Sequence, residues 1–433
     1  MKRMPNMTGR TARLAINVVG NFGSRAINLF AAVLIVPMAV SGLGVLDYSI
    51  FAVILSAATF ITYADFGMGL AMVNPITVAE AKDDHAAAQK IISQTWGLML
   101  LIAGTVMAIG FVIVAIVGAR STGGQMAMLP WFVFVACVSV ALPTAITQRV
   151  LFALERNFEA NIWLSAGRVA SLGGVYAAYL SEAGLAAYIL AMIGLPGLVG
   201  WINTAKFFLK DRPDLAPRIQ PSLAAVRRLL PNGLRYVVMQ VGPYIEVGFD
   251  IILIRLFIGP EMTTSYDLVS RAFNYVPALA LIGIMPLWPA ISAAIANGDH
   301  LWARKIERLS DAFVLAGTIT QATILVLFYT QIIRLWTGHS VELTNVVVLS
   351  LAFVTVSASY LGLKNAMIFA AEGANRLSRA QLTLLLFLLP TKIFALHTFG
   401  ISGLAASTAL LYIPKIIWIL YIFRTRKTSP VSD

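Results

Sequence analysis

Of the ionisable side chains inside long apolar stretches of this sequence, nine could do chemistry: Arg25, Asp65, Glu246, Asp250, Arg255, Asp267, Arg271, Lys364 and Lys415. A charge at the centre of a membrane helix costs about 2.5–3.5 kcal/mol on insertion scales, so one that is retained normally faces a cavity or a partner. Arg25, Arg255, Arg271, Lys364 and Lys415 together read as the cationic lining of a substrate path. Arginine in particular matches a phosphate with two parallel donors. Asp65, Glu246, Asp250 and Asp267 read as groups that take up an ion or a proton. Glu246 and Asp250 share a helical face with no basic residue an equal step away, so they compete for one proton. Asp267 and Arg271, also four residues apart, read equally well as a structural ion pair. Arg235, Arg255 and Lys364 are close enough to span ends to snorkel. Arg25 is far from both ends of its span and reads as a substrate contact.

The elements that must hold these residues are membrane helices. Hydrophobic residues make up 59% of the 433 positions and charged residues 12%, with a mean hydropathy of +0.81. A soluble domain carries about 25% charged residues. Apolar runs long enough to cross a bilayer lie near 14–40, 46–74, 92–118, 128–152, 161–180, 184–208, 232–258, 264–296, 312–335, 343–370, 379–399 and 401–423. The expected fold is all-α and polytopic, with about twelve transmembrane helices and no soluble domain. The first run is too long for a signal-peptide core and lacks a small-residue cleavage site, so it reads as a retained span.

The net charge of +12 suggests nucleic acid until its distribution is read. With the N-terminus inside, 23 basic residues fall on the inner side and only Arg120, Arg334 and Lys392 on the outer. That asymmetry expects both termini in the cytoplasm and an even number of spans. No nucleic-acid partner is expected. Cys137 is the only cysteine and the four histidines stand at no ligand spacing, so neither disulfide nor metal site is expected.

The chain reads as two similar halves. Phe152-Ala153-Leu154-Glu155 returns as Phe369-Ala370-Ala371-Glu372, an offset of 217. Tyr48 matches Tyr266 at an offset of 218, and Asp84-His85 matches Asp299-His300 at 215. Six spans per repeat make the repeats parallel, two pseudo-symmetric six-helix lobes with a cleft lined by spans 1, 2, 7 and 8. The expected division is residues 1–208 for the N-terminal lobe, 209–231 for a cytoplasmic linker and 232–433 for the C-terminal lobe and tail. Pro213, Pro217 and Pro221 interrupt the linker, and Ser222 then caps a short amphipathic helix carrying Arg227 and Arg228. Pro243, directly before the acidic stretch of span 7, is a bending point. Tyr48, Tyr63, Tyr244, Tyr266 and Tyr275 fit either sugar stacking or ordinary packing.

There is no Walker sequence and no acidic metal-binding pair in a long loop, so no catalytic residue, cofactor or enzymatic activity is expected. A polymerase or ligase would want a large external loop, and none of the gaps provides one.

Several segments resemble the polysaccharide transporters, the Wzx-type lipid-linked oligosaccharide or O-antigen flippases of the multidrug/oligosaccharidyl-lipid/polysaccharide exporter superfamily. They are Pro37 with Gly42-Leu43-Gly44 and Tyr48, and the run Tyr63-Ala64-Asp65-Phe66-Gly67-Met68-Gly69-Leu70-Ala71. In the second half come Tyr266, Arg271, Pro286 to Pro289, Gly298-Asp299 and Phe369-Ala370-Ala371-Glu372-Gly373. Ser49 stands where the family often has glycine. The resemblance covers nearly the whole chain. It implies a MATE-like pair of lobes in a bacterial inner membrane and passage of an undecaprenyl-diphosphate-linked oligosaccharide to the outer leaflet by alternating access. It also implies a monomer working with membrane lipid and other polysaccharide-assembly proteins. The alternative is a MATE-type cation-coupled drug exporter, which would present mainly carboxylates; Asp65, Glu246 and Asp250 keep it open.

Overall fold

The computed structural model describes residues 7–61, 63, 65, 67–120, 128–219, 223–284, 299–372 and 375–424, and among them there is helix and no strand. Ser222, Pro286 to Pro289, Gly298 and Gly373 fall outside these, as do the side chains of Arg235 and of residues 369–372. The expected apolar runs lie mainly on helix over their described parts, except that the run near 46–74 is broken by turn at Tyr63, Asp65 and Gly67. Among the described residues, eight helices are long and apolar enough to cross a membrane by length and composition.

Two of the eight are too long to cross once. Gly23–Ile61 has 39 residues and Leu377–Arg424 has 48. At 1.5 Å per residue these would measure about 58 and 72 Å, against a hydrocarbon core of about 30 Å. Each is broken at one glycine: Gly44 (φ 70°, ψ 173°) in α1, Met7–Ile61, and Gly400 (φ 62°, ψ −149°) in the last helix. Both dihedral pairs lie where a Cβ is strongly disfavoured, so a single residue serves as the joint between two expected spans.

The chain forms two compact units, Met1–Val237 and Val238–Asp433. In the first, α1 is followed by α2 (Met68–Ala71), α3 (Val73–Ala81), α4 (His85–Arg120), α5 (Met128–Ala141), α6 (Ala145–Ala153), α7 (Asn157–Leu180), α8 (Leu185–Ile189) and α9 (Leu195–Lys206). α1 packs along α7, whose buried face is Ala160, Ser165, Gly167, Ser171, Val175 and Ala178. Such small residues let backbones approach closely where lipid supplies no hydrophobic drive. Ser24 and Ser165 share a 2.6 Å hydrogen bond across this seam. A second core gathers Met72, Ile76, Ile92, Trp96, Phe207, Phe208 and Leu215, with Trp96 edge-on to Trp201 and Phe208.

At one end of this unit Arg212 binds Glu80 at 3.0 Å and Asp214 at 2.7 Å. Burial alone would raise the Glu80 carboxyl, but Arg212 and His85 together outweigh it and hold Glu80 below its ordinary value. Hydrogen bonds from Arg212 likewise lower Asp214, and Arg212 itself is raised, most by Asp214.

The boundary between the units falls inside α10 (Leu223–Pro243), so the amphipathic linker helix and the start of span 7 are one continuous helix. A π-helical turn, Tyr244–Gly248, leads to α11 (Asp250–Phe257). Then follow α12 (Pro260–Ile284), α13 (His300–Thr337), α14 (Asn345–Glu372) and α15 (Asn375–Arg424). α13 packs on α12, α14 on α13 and α15 on α14. Val354, Leu361, Ile368, Leu377, Tyr412 and Ile419 form the core between the last two. Tyr48 and Tyr266, the equivalent tyrosines of the repeats, are both buried.

Candidate functional site

Proline at 243 cannot donate a backbone hydrogen bond, and the helix loosens into a π turn directly after it. The turn places Glu246 in the interior of the second unit, 3% exposed. Lys415 of α15 clasps its carboxylate at 2.5 and 2.7 Å. Tyr412 donates to Oε2 at 2.6 Å and Gln381 to Oε1 at 2.6 Å. Gln381 can come this close because position 242 is glycine; a Cβ there would overlap its amide. The Lys415 ammonium also lies 4.7 Å from the Tyr412 ring centroid.

One helical turn on, Asp250 is 1% exposed and accepts from Lys392 at 2.5 Å and from the Tyr266 hydroxyl at 2.9 Å. Lys392 is wholly buried and donates also to the carbonyls of Glu246 and Ile245, which the π turn presents to it. An ammonium has three donors, and all three are used. The expectation that Lys392 lies outside the membrane is therefore corrected: it is an interior residue of span 11. Its signal was present, since Leu384–Leu389 and Ile393–Leu396 flank it with apolar chain on both sides. A cavity of about 10 Å³, room for about one water molecule, lies beside Asp250 and Tyr266 against Ser350 and Thr408.

Glu246 and Asp250 are thus each matched by a lysine of α15, and the four groups together are neutral. Protonating either carboxylate would leave its ammonium facing a neutral partner, with the other pair's carboxylate one helical turn away, so the arrangement can convert a proton into a change of internal charge.

The other expected residues are dispersed. Lys364 on α14 is buried between Glu307 (3.1 Å) and Asp311 (2.6 Å) of α13, with its ammonium 4.3 Å from the Phe423 ring centroid. Asp267 holds Arg271 at 2.7 Å along α12, the ion-pair geometry that their spacing allows. Arg255 is half-buried in the last turn of α11. In the first unit Arg25 is exposed on α1 and has no hydrogen-bond or ion-pair partner among the described residues.

Asp65 is not inside a continuous span. Helix α1 ends at Ile61 and α2 begins at Met68, and Asp65 accepts from the backbone N–H of Gly67 at 2.8 Å and of Gly69 at 3.2 Å. Its carboxylate thereby satisfies two backbone donors at the start of the restarted helix, whose N-cap is Gly67. Gly67 is left-handed (φ 69°), and a Cβ there would strike the Gly233 backbone. The Arg149 side chain lies alongside, over Gly69. Among the described residues no three His, Cys, Asp or Glu side chains gather as a metal site.

This is the fold of the MATE transporters. An inward-facing multidrug resistance MATE family transporter of the MOP superfamily superposes with a TM-score of 0.68 at 14% identity, over 94% of this chain and 99% of that one. An outward-facing MATE transporter gives 0.63 at 14% identity, over 95% of each chain. A MOP superfamily transporter from Pyrococcus furiosus, described as having a binding pocket of reverse polarity that suggests a different function, gives 0.64 at 14% identity, over 95% of this chain and 94% of that one. No protein-family model matches the chain, and no curated protein does.

Proposed function

We propose that this multi-pass membrane protein is a flippase. It moves an undecaprenyl-diphosphate-linked oligosaccharide from the inner to the outer leaflet of a bacterial cytoplasmic membrane by alternating access, as a monomer with both termini inside. It makes and breaks no covalent bond, and hands its substrate to other polysaccharide-assembly proteins. The observation that carries this reading is the charge inventory. Glu246, Asp250 and Asp267 are each already paired with Lys415, Lys392 and Arg271, whereas Arg25 has no partner among the described residues. A cationic drug would find these carboxylates occupied, while an anionic diphosphate would find a guanidinium able to bind it bidentately. The reverse-polarity pocket described for the Pyrococcus furiosus neighbour accords with this reading.

Deleting the gene should abolish a surface polysaccharide and accumulate lipid-linked glycan on the cytoplasmic side of the membrane. If surface glycans are unchanged and resistance to cationic drugs falls, the MATE-type drug exporter is the correct reading.

A further inference from the structure

Arg149, on α6, makes no hydrogen bond and no ion pair among the described residues. It is half-buried rather than exposed, and none of its nitrogens is sealed off. A guanidinium drawn out of water without a counter-ion is costly, so one that persists meets an anion. Snorkelling to the membrane surface does not describe it. Its stem runs across Gly69, with Cγ 3.5 Å and Nε 3.8 Å from the place a Cβ would take there. The neighbouring carboxylate is Asp65, whose Oδ2 lies 2.8 Å from the same point. Both Asp65 oxygens are taken by the backbone N–H groups of Gly67 and Gly69, and neither is at ion-pair distance from Arg149.

The second unit treats its corresponding cation differently. Lys364 and Arg149 are 215 residues apart, the offset that also relates Asp299-His300 to Asp84-His85. Asp84 and Asp299 accept from the backbone N–H groups of Ala87 and Trp302, so α4 and α13 begin in the same register. In α13 that register carries Glu307 and Asp311, the carboxylates that hold Lys364. In α4 the same two positions are Ile92 and Trp96, both buried in the apolar core. The first unit has kept the cation and dropped both counter-ions.

We infer that Arg149 binds a phosphate of the transported diphosphate, with Asp65 as the neighbouring charge that limits how tightly; the inference rests on the flippase reading above. The planar fork of a guanidinium matches two phosphate oxygens at once. Arg149 lies one turn before the end of α6. On the topology proposed above that end faces the cytoplasmic leaflet, the side from which the substrate is taken. Asp65 is close enough to repel a bound phosphate, and its two backbone hydrogen bonds keep it from collapsing onto the arginine. A headgroup held in this way can be released again, as transport requires. Gly69 makes room for both charges, since any side chain there would collide with the Asp65 carboxylate.

Binding of farnesyl diphosphate to the full-length protein in mild detergent, followed by microscale thermophoresis with farnesol as the uncharged control, tests the inference. The wild type should bind the diphosphate and not the alcohol. Arg149→Gln should weaken binding about tenfold, and Arg149→Lys by less, because the charge stays and the fork goes. Asp65→Asn should tighten binding severalfold, a change of opposite sign that a merely structural pair would not give. Arg334→Gln, on the exposed last turn of α13, controls for net charge and should bind as the wild type does. Arg149→Lys and Asp65→Asn keep the result readable if Arg149→Gln fails to fold. No diphosphate binding by the wild type, unchanged affinity in folded Arg149→Gln, weaker binding in Asp65→Asn, or an equal loss in Arg334→Gln would overturn the inference. The gene deletion judges the flippase reading separately: a surface polysaccharide lost on deletion but normal with folded Arg149→Gln sinks this inference and leaves that reading standing.

Discussion

The Lys392 ammonium lies 2.5 Å from the Asp250 carboxylate, across 142 residues of sequence, with both side chains sealed from the surface. Its two remaining donors go to carbonyls that a regular α-helix would have kept for itself. Pro243 and the π turn after it thus convert backbone acceptors into ligands for a buried cation.

Removing one member should be costly and removing both much less so. Lys392→Met leaves a buried carboxylate without its cation, and the expected loss is about 3–5 kcal/mol. Lys392→Met combined with Asp250→Asn should recover a large part of it. Thermal unfolding of the detergent-solubilised single and double variants measures this, and additive losses would show that the pair is not coupled.

Arg25 should behave in the opposite way. It is exposed and has no partner among the described residues, so Arg25→Ala should change stability by no more than about 0.5 kcal/mol. Surface-glycan output should nevertheless collapse, and Arg25→Lys, which keeps the charge but loses the planar fork, should restore it in part. Normal output from a stably folded Arg25→Ala protein would end the substrate-contact reading.

Substitutions at the α1–α2 break separate a backbone acceptor from a proton carrier. Asp65→Ala should cost about 0.5–2 kcal/mol through the lost bonds to the helix start. Asp65→Asn keeps one acceptor oxygen and loses the other bond, because the Gly67 and Gly69 N–H groups go to different carboxylate oxygens, so it should lie between Asp65→Ala and the wild type in stability. If Asp65→Asn nonetheless stops transport, the ionised carboxylate itself is needed. Gly67→Ala should be worse than either for folding, because a left-handed non-glycine residue costs about 1–2 kcal/mol before its collision with Gly233 is counted.

The Arg212 cluster should make the first unit acid-sensitive. Glu80 and Asp214 are both held below their ordinary values of 4.5 and 3.8. Their contribution is complete above those values and is lost as pH falls through the lower folded ones. Thermal midpoints followed from about pH 6 to about pH 3 should drop more steeply for the wild type than for Arg212→Met. Parallel curves would show that the cluster adds no acid-labile stability.

Hydropathy made the helices legible, because lipid forces every buried backbone group into a helix whatever the tertiary contacts. Glu246, Asp250 and Lys415 stood out for the same reason, being charges in apolar stretches. Their pairing was not legible: Glu246 and Lys415 are 169 residues apart, and helical spacing carries no information over that distance. Lys392 was misplaced because a charge with His397 and Thr398 close behind it looks like a span end. Asp65 falls inside the expected span 2, although Gly67 and Gly69 beside it signal a break. The partners of Lys364, Glu307 and Asp311, were hidden among Arg304, Lys305 and Arg308, which fall between the expected spans 8 and 9 but belong to α13.

Gly44 and Gly400 carry a consequence for what can reach the chain. With one residue joining the two halves of each helix, neither joint has a loop of its own, so proteases, antibodies and inserted tags find almost no irregular backbone there to reach.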